Sequence, residues 1–422
     1  MNTRKRLPLR GGNWNNGSNA GLGALNFNNA RTNVNNNIGF RPALDNARNT
    51  DLTGLCPCNL EKDAATSALA ETLNKPVDAS TGCTFSEIVS YENILNAAYQ
   101  CRKGKANSPA TLVFFNKLEE NTIALYNELN WGTYELSAYH HFYVFEPKRR
   151  LISAPNFRDR VAHRAIFNIL EPLFDKTFIA HSYACRKNKG AHKGADLAQK
   201  QIQQIEKKHG TAYALKADIS RYFSSVDHET LKQLLANKIK CEMTLALLNY
   251  IIDNSPSDAP GVGMPLGNLT SQLFANVYLH ELDWFAKHAL KIKNYVRYMD
   301  DFVVIHHDKN YLHAQREAIQ RFLHCALKLK TNSKTQVFPV AKKGGRPLDF
   351  LGYRIYSTHR LLRKCSVKRM KAKLKKFNYL YSRKEITLGQ INKSVQSWLG
   401  HAKHANSHNL KKSLLTQTFT RH

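Results

Sequence analysis

Acidic residues are scarce in this chain of 422 residues: 32 Asp and Glu stand against 62 Lys and Arg, a formal net charge of +30. That excess is far beyond what solubility asks of a domain and implies a polyanionic partner. The shortage is greatest at the end, where Arg360 to His422 hold sixteen Lys or Arg and one acid, Glu385. No run approaches the roughly 20 apolar residues of a bilayer span. No amphipathic anchor rich in exposed Trp or Leu seats the basic tail on a membrane surface, so nucleic acid is the better partner and no membrane is expected. The start lacks a basic stretch followed by an apolar core, which argues against secretion. Cysteine is sparse, 8 residues scattered along the chain, and nothing points to an oxidising compartment. Cys56-Pro57-Cys58 with Cys83 and Cys101 match no familiar zinc spacing, so the cysteines read as free thiols. A cytoplasmic setting, in a bacterial or phage-infected cell, fits these absences.

What is present divides along the length. Fourteen of the first fifty residues are Asn, as in Asn13-Trp14-Asn15-Asn16 and Asn35-Asn36-Asn37. Glycine is frequent there and no period persists, so residues 1–44 read as poorly ordered. Residues 45–84 read as a linker with a short helix at Leu60–Leu73. From Phe85 the texture is globular. Ile88, Tyr91, Ile94, Leu95 and Ala98 recur at helical spacing, as do Leu118, Ile123, Leu125 and Leu129. Tyr143-Val144-Phe145 and Leu151-Ile152 predict strands flanking the basic turn Lys148-Arg149-Arg150. Val161–Phe174 predicts a helix ending near Pro172, and Leu273–Leu290 another. Val367, Met370, Leu374 and Phe377 make a helical stripe with lysines opposite, and Thr387 with Gln390 predicts a capping box on a last helix.

The sharpest local signal is Tyr298-Met299-Asp300-Asp301, set between apolar β-type residues. Neighbours on a strand point to opposite faces, so adjacent acids serve one site only on a tight turn. Upstream, the apolar run Tyr213–Ile219 delivers a third acid, Asp218, at a strand end. Three carboxylates suit two Mg²⁺ ions, with Mn²⁺ as a substitute, in phosphoryl transfer. An Asp pair alone is more readily a solvated acidic turn, and the flanking residues change that balance.

Tyr298-Met299-Asp300-Asp301 resembles the YxDD signature of reverse transcriptases, and Asp218-Ile219-Ser220-Arg221-Tyr222-Phe223 resembles their first catalytic motif. Pro147 to Ile152 and Asp159-Arg160-Val161 resemble the fingers motifs. Leu327-Lys328-Leu329 with Lys334-Thr335 resembles the motif after the Asp pair, and Phe350-Leu351-Gly352-Tyr353 the primer grip. The resemblance implies an α+β right-hand polymerase: fingers and a palm of antiparallel sheet plus helices over residues 85–358, then a basic helical thumb over 359–422. It implies metal ligation by Asp218, Asp300 and Asp301 with the backbone carbonyl of Ile219. Lys148 and Arg149 would meet the incoming triphosphate, and Lys334 would act as general acid on the pyrophosphate, although an exposed lysine is an equal reading. Phe223 falls at the ribose gate, where a ring crowds a 2′-hydroxyl and favours dNTPs; a core aromatic is the alternative. Lys368, Arg369, Lys371, Lys373, Lys375 and Lys376 would track the backbone of template RNA with its cDNA, an RNA–DNA hybrid, and binding would weaken steeply with salt.

Within Gly263 to Gln272 the chain has Leu266-Gly267 where group II intron and retroviral enzymes usually carry Gln-Gly. The Leu-Gly-x-x-x-Ser-Gln pattern resembles enzymes of diversity-generating retroelements, which copy a template repeat and misincorporate opposite adenines. Leu266 and Gln272 would line the nucleotide pocket. Arg10-Gly11-Gly12-Asn13-Trp14 through Asn37-Ile38-Gly39-Phe40-Arg41 resembles the end of the formylglycine-generating-enzyme or C-type-lectin-like domains that these elements diversify. Asn codons are adenine-rich, as a translated template repeat would be. Such enzymes act with a small basic oligomeric accessory protein. A group II-like, retron or phage-defence polymerase and a non-catalytic RNA-binding protein remain the other readings.

Overall fold

The computed structural model describes residues 84–145, 149–341 and 344–415. The Asn-rich segment, the linker with its expected short helix, Cys56, Cys58, Cys83 and Lys148 lie outside the described residues. Four helices come first: α1 (Thr84–Ile88), α2 (Tyr91–Arg102), α3 (Pro109–Asn116) and α4 (Leu118–Asn130). Ser90 and Ser108 cap α2 and α3 by accepting from the N–H groups of Asn93 and Thr111, and Pro109 sits in the first turn of α3, where its missing N–H costs nothing. β1 (His140–Val144) and β2 (Arg150–Ala154) pair antiparallel, as expected of the strands on either side of the basic residues, with Arg150 inside β2. α5 (Phe157–Asp175) follows, capped by Asn156. It runs through Pro172 rather than ending there. In its last turn that proline forfeits only the bond to the carbonyl four residues back, and burial of Phe174 carries the helix on.

The central layer is an antiparallel sheet in the order β4-β5-β3-β6, built from β3 (Tyr213–Asp218), β4 (Tyr295–Tyr298), β5 (Asp301–His306) and β6 (Gln336–Pro339). Around it lie α6 (Ala191–His209), α7 (His228–Lys238), α8 (Glu242–Asp253), α9 (Leu269–Trp284) and α10 (Lys309–Leu327). Alternation along the strands splits the burial. Leu215, Ala217, Phe302 and Val304 face a core that holds apolar residues of α5, α9 and α10. Ala214, Val303 and Ile305 face a second core with Ala195, Ala198 and Ile202 of α6. The predicted single helix to Leu290 is instead α9 followed by a π-turn over Phe285–Ala289. The wider turn buries both Phe285 and Ala286 and stacks Phe285 on Phe322 at 4.2 Å.

A second sheet, β7 (Leu348–Phe350), β8 (Tyr353–Ile355) and β9 (Arg360–Leu362), joins this layer to the C-terminal helices, so the expected boundary near residue 358 falls within one sheet. Gly194 on α6 lets the first hairpin of that sheet approach: a Cβ there would lie 2.8 Å from Cδ1 of Leu351. α11 (Lys364–Ser382), α12 (Leu388–Ala402) and α13 (His408–Leu415) complete the described chain. Met370, Leu374 and Phe377 of α11 share a core with Ile391, Val395 and Trp398 of α12, whose start carries the capping box of Thr387 and Gln390. The architecture is α+β, with an antiparallel sheet, flanking helices and a basic helical end.

Candidate active site

The register of the central sheet brings the three acids together. β3 and β5 are antiparallel neighbours, and Asp218 stands directly opposite Asp301. The N–H of Ile219 donates to the carbonyl of Asp300 at 3.1 Å. Tyr298 pairs with Asp301, leaving Met299 and Asp300 as a two-residue turn. Met299 takes φ +55°, as a hairpin turn matched to strand twist requires. For a residue with a Cβ that conformation costs about 1–2 kcal/mol. Beneath the turn Arg297 offsets the strain. Fully buried, it donates to the carbonyl of Met299 at 3.2 Å, to Ser182 at 3.0 Å and to both carboxylate oxygens of Asp283 at 2.6 Å.

Crowding shows in the electrostatics. Burial, then the charges of Asp218 and Asp301, push the Asp300 carboxyl up to about 7. Burial lifts Asp301 to about 6, with Lys216 pulling the other way through a contact of 2.8 Å. Asp218 accepts a hydrogen bond from Nδ2 of Asn332. With Asp301 turned to Lys216 and Asp218 to Asn332, no group of three His, Cys, Asp or Glu among the described residues is arranged to hold a metal ion. The donor set nevertheless fits one chemically. Carboxylate oxygens under mutual repulsion on one sheet end are what a hard divalent cation neutralises, once Asp301 swings off Lys216.

Arg149 is folded over the ring of Tyr143 at 4.0 Å, and Arg150, the first residue of β2, is a cation whose field opposes the rise of the Asp300 carboxyl. Asp159 is equally decided: fully buried, it accepts from Tyr134 at 3.1 Å and from the N–H of Ser137 at 2.9 Å, which makes it a strap for the fingers.

Phe223 lies half-buried, edge-to-face with Tyr222 at 5.5 Å, and its carbonyl accepts from the N–H of Met264 at 2.7 Å. The hydroxyl of Tyr222 donates to the carbonyl of Ala275 on α9 at 2.7 Å. These bonds sew the segment after Asp218 to the stretch leading into half-buried Leu266 and to Gly267, which takes φ +128°. Gln272 is buried with Nε2 lacking a hydrogen-bond partner among the described residues. Lys334 is exposed, its N–H donating to Oδ1 of Asn332 at 2.7 Å. On α11, Lys368, Lys371, Lys373, Lys375 and Lys376 are exposed and Arg369 half-buried, opposite the apolar stripe. Cys101 donates to the carbonyl of Arg160 at 3.4 Å, and Cys101, Cys185, Cys241, Cys325 and Cys365 form no disulfide. No helix among the described residues is long and apolar enough to cross a membrane. Sequence reasoning passed over Lys216, Asn332, Arg150 and Arg297, whose parts depend on contacts between distant segments.

Residues 146–355 match a family model described as "Reverse transcriptase (RNA-dependent DNA polymerase)". The chain is 26% identical over 256 residues to Protein YkfC of Escherichia coli K12, covering 52% of this chain and 65% of that protein. It is 28% identical over 214 residues to the group II intron-encoded protein LtrA of Lactococcus lactis, covering 49% of this chain and 34% of LtrA. The chain thus spans between a third and two thirds of these curated relatives. Telomerase from Candida albicans, solved with a telomeric RNA fragment, aligns with TM-score 0.39 and 13% identity over 66% of this chain and 55% of that one.

Proposed function

We propose that the chain synthesises DNA from dNTPs on an RNA template, a reading supported by the match of residues 146–355 to a reverse transcriptase model. The observation that carries this reading is the pairing of Asp218 with Asp301 beside the turn that presents Asp300. The primer 3′-oxygen forms a bond to the α-phosphorus of the nucleotide and pyrophosphate leaves. Asp218, Asp300 and Asp301, with the carbonyl of Ile219, would hold two Mg²⁺ ions, or Mn²⁺ in their place. Such ions supply Lewis acidity to the attacking and leaving oxygens. Lys148 and Arg149 steady the triphosphate, with Arg150 adding positive charge near Asp300, and Lys334 gives a proton to the departing pyrophosphate. The lysine face of α11 tracks the template–primer backbone. Primer extension on an RNA template, with Asp300→Asn as control, tests the reading; extension that survives in the variant refutes it.

Phe223 acts as the ribose gate. Phe223→Ala is expected to raise rNTP incorporation relative to dNTP by about 10–200-fold, the range a pocket of this kind discriminates by shape. Single-nucleotide kcat/KM ratios measure it, and an unchanged ratio returns Phe223 to the role of core aromatic.

The finer reading is the polymerase of a diversity-generating retroelement, error-prone at template adenines and working with a small basic accessory protein. Leu266-Gly267 in place of Gln-Gly and the Asn-rich first segment support it. Leu266→Gln is expected to lower misincorporation opposite adenine about tenfold, for which one contact of roughly 1.4 kcal/mol suffices. Equal error in both proteins refutes the role of Leu266. Similarity to LtrA favours a second reading, a group II-like polymerase. The flanking DNA separates the two, since only the retroelement requires a second copy of the 1–44 coding segment that differs where this one has adenine.

A further inference from the structure

The loop after α10 is stitched to the strand that bears Asp218. The N–H of Ser220 donates to the carbonyl of Lys330 at 2.8 Å, and Ile219 forms an isolated bridge with Thr331. Asn332 closes the seam. Its backbone N–H donates to the carbonyl of Asp218 at 2.8 Å, its Nδ2 donates to Oδ2 of the Asp218 carboxylate, and its Oδ1 accepts the N–H of Lys334 at 2.7 Å. One amide side chain thus joins the acid at the end of β3 to the backbone of the lysine two residues on. Thr331 is itself held from α10, where Nε2 of Gln320 donates to its hydroxyl at 2.7 Å, so the loop has a fixed footing.

We propose that Asn332 is a positioning residue that sets the rotamer of Asp218 and the placement of Lys334 together. The inference rests on the polymerase reading above. With Oδ2 of Asp218 held by the amide, Oδ1 is the oxygen offered to a cation. Coupling both groups through one side chain fixes the distance between the Asp218 carboxylate and the backbone from which the Lys334 side chain extends. A partner of this kind that orients a metal ligand commonly changes metal affinity by about 10–100-fold when lost.

The test uses the full chain, with Asn332→Leu removing both side-chain bonds at similar volume and Asn332→Asp keeping the acceptor for Lys334 while replacing the donor to Asp218. Mn²⁺ binding is read by electron paramagnetic resonance without template or nucleotide, folding by thermal melting, and turnover by primer extension over a Mg²⁺ series. Asn332→Leu is expected to weaken Mn²⁺ binding about 10-fold or more, raise the Mg²⁺ needed for half-maximal rate in step, and leave the dNTP KM near that of the parent. A variant with parental Mn²⁺ affinity and parental Mg²⁺ dependence overturns the proposal. Should Asn332→Leu fail to fold, the isosteric Asn332→Asp decides: lost rate at saturating Mg²⁺ with an unchanged melting temperature supports positioning, and parental rate overturns it. Failure of the polymerase reading looks different, because the parent itself then shows neither extension nor Mn²⁺ binding sensitive to Asp300→Asn.

Discussion

Asp300→Asn should abolish primer extension and, with divalent metal chelated, make the protein harder to melt. The first effect follows from the role of the turn. A carboxylate that helps hold the metals contributes several kcal/mol to the transition state, and about 4 kcal/mol corresponds to a loss of roughly 10³-fold. The second follows from the crowding of charge. In the folded chain Asp300 is lifted from 3.8 to about 7, by burial first and by Asp218 and Asp301 next. A carboxyl raised by folding favours the native state while protonated. Its contribution falls away as pH climbs from near 4 to near 7 and stays low above that. Removing the charge should therefore raise the melting temperature most at pH 8 in EDTA, with the difference shrinking toward pH 4. Adding Mg²⁺ should stabilise the parent and barely move the variant, since a ligand stabilises the state that binds it. A parent that melts higher than Asp300→Asn at pH 8 in EDTA would mean that the three acids do not repel one another.

Much of this site was legible in the sequence because its parts are local. Apolar residues either side of Asp300 and Asp301 specify two strands and a tight turn, Tyr213–Ile219 specifies the strand ending at Asp218, and Thr387 with Gln390 specifies the cap of α12. Chain-local rules fail where a partner arrives from far away. Lys216 reads as an ordinary strand lysine until β5 sets Asp301 against it, and Asn332 reads as a turn residue until the loop is laid along β3. Arg149 and Arg150 are alike in composition, and only the folded hairpin places Arg149 over the Tyr143 ring and lets the charge of Arg150 act on Asp300. Pro172 marks a helix end by its chemistry, but packing in the last turn of α5 outweighs one lost hydrogen bond. The same division holds at the end of α9, where the apolar period continues past Trp284 and the stacking of Phe285 on Phe322 selects a π-turn.

Arg297→Ala should be among the most destabilising single substitutions in the chain. The guanidinium is fully buried and forks onto both oxygens of Asp283, itself buried, while also reaching Ser182 and the carbonyl of Met299. Truncation leaves the Asp283 carboxylate without its counter-charge in a medium that solvates it poorly, a situation that costs about 3–5 kcal/mol. Tyr295 still donates to Asp283 at 2.8 Å, but a neutral hydroxyl does not replace a cation. Removing both charges is another matter. The pair Arg297→Met with Asp283→Leu should recover most of the stability, because well-packed apolar groups of similar volume do as well as a buried ion pair. Urea titration of the two single variants and the double variant gives the coupling directly. The recovered double variant then isolates what the arginine does for the turn. It folds, yet no donor remains on the carbonyl of Met299, so Met299 is freer to leave its left-handed conformation and Asp300 shifts with it. Displacement of a reacting group by about 1 Å costs up to about 10²-fold in rate. A double variant with parental stability and parental kcat would assign Arg297 to the core alone; parental stability with reduced kcat would show that the buried guanidinium holds the turn in the shape the acids need.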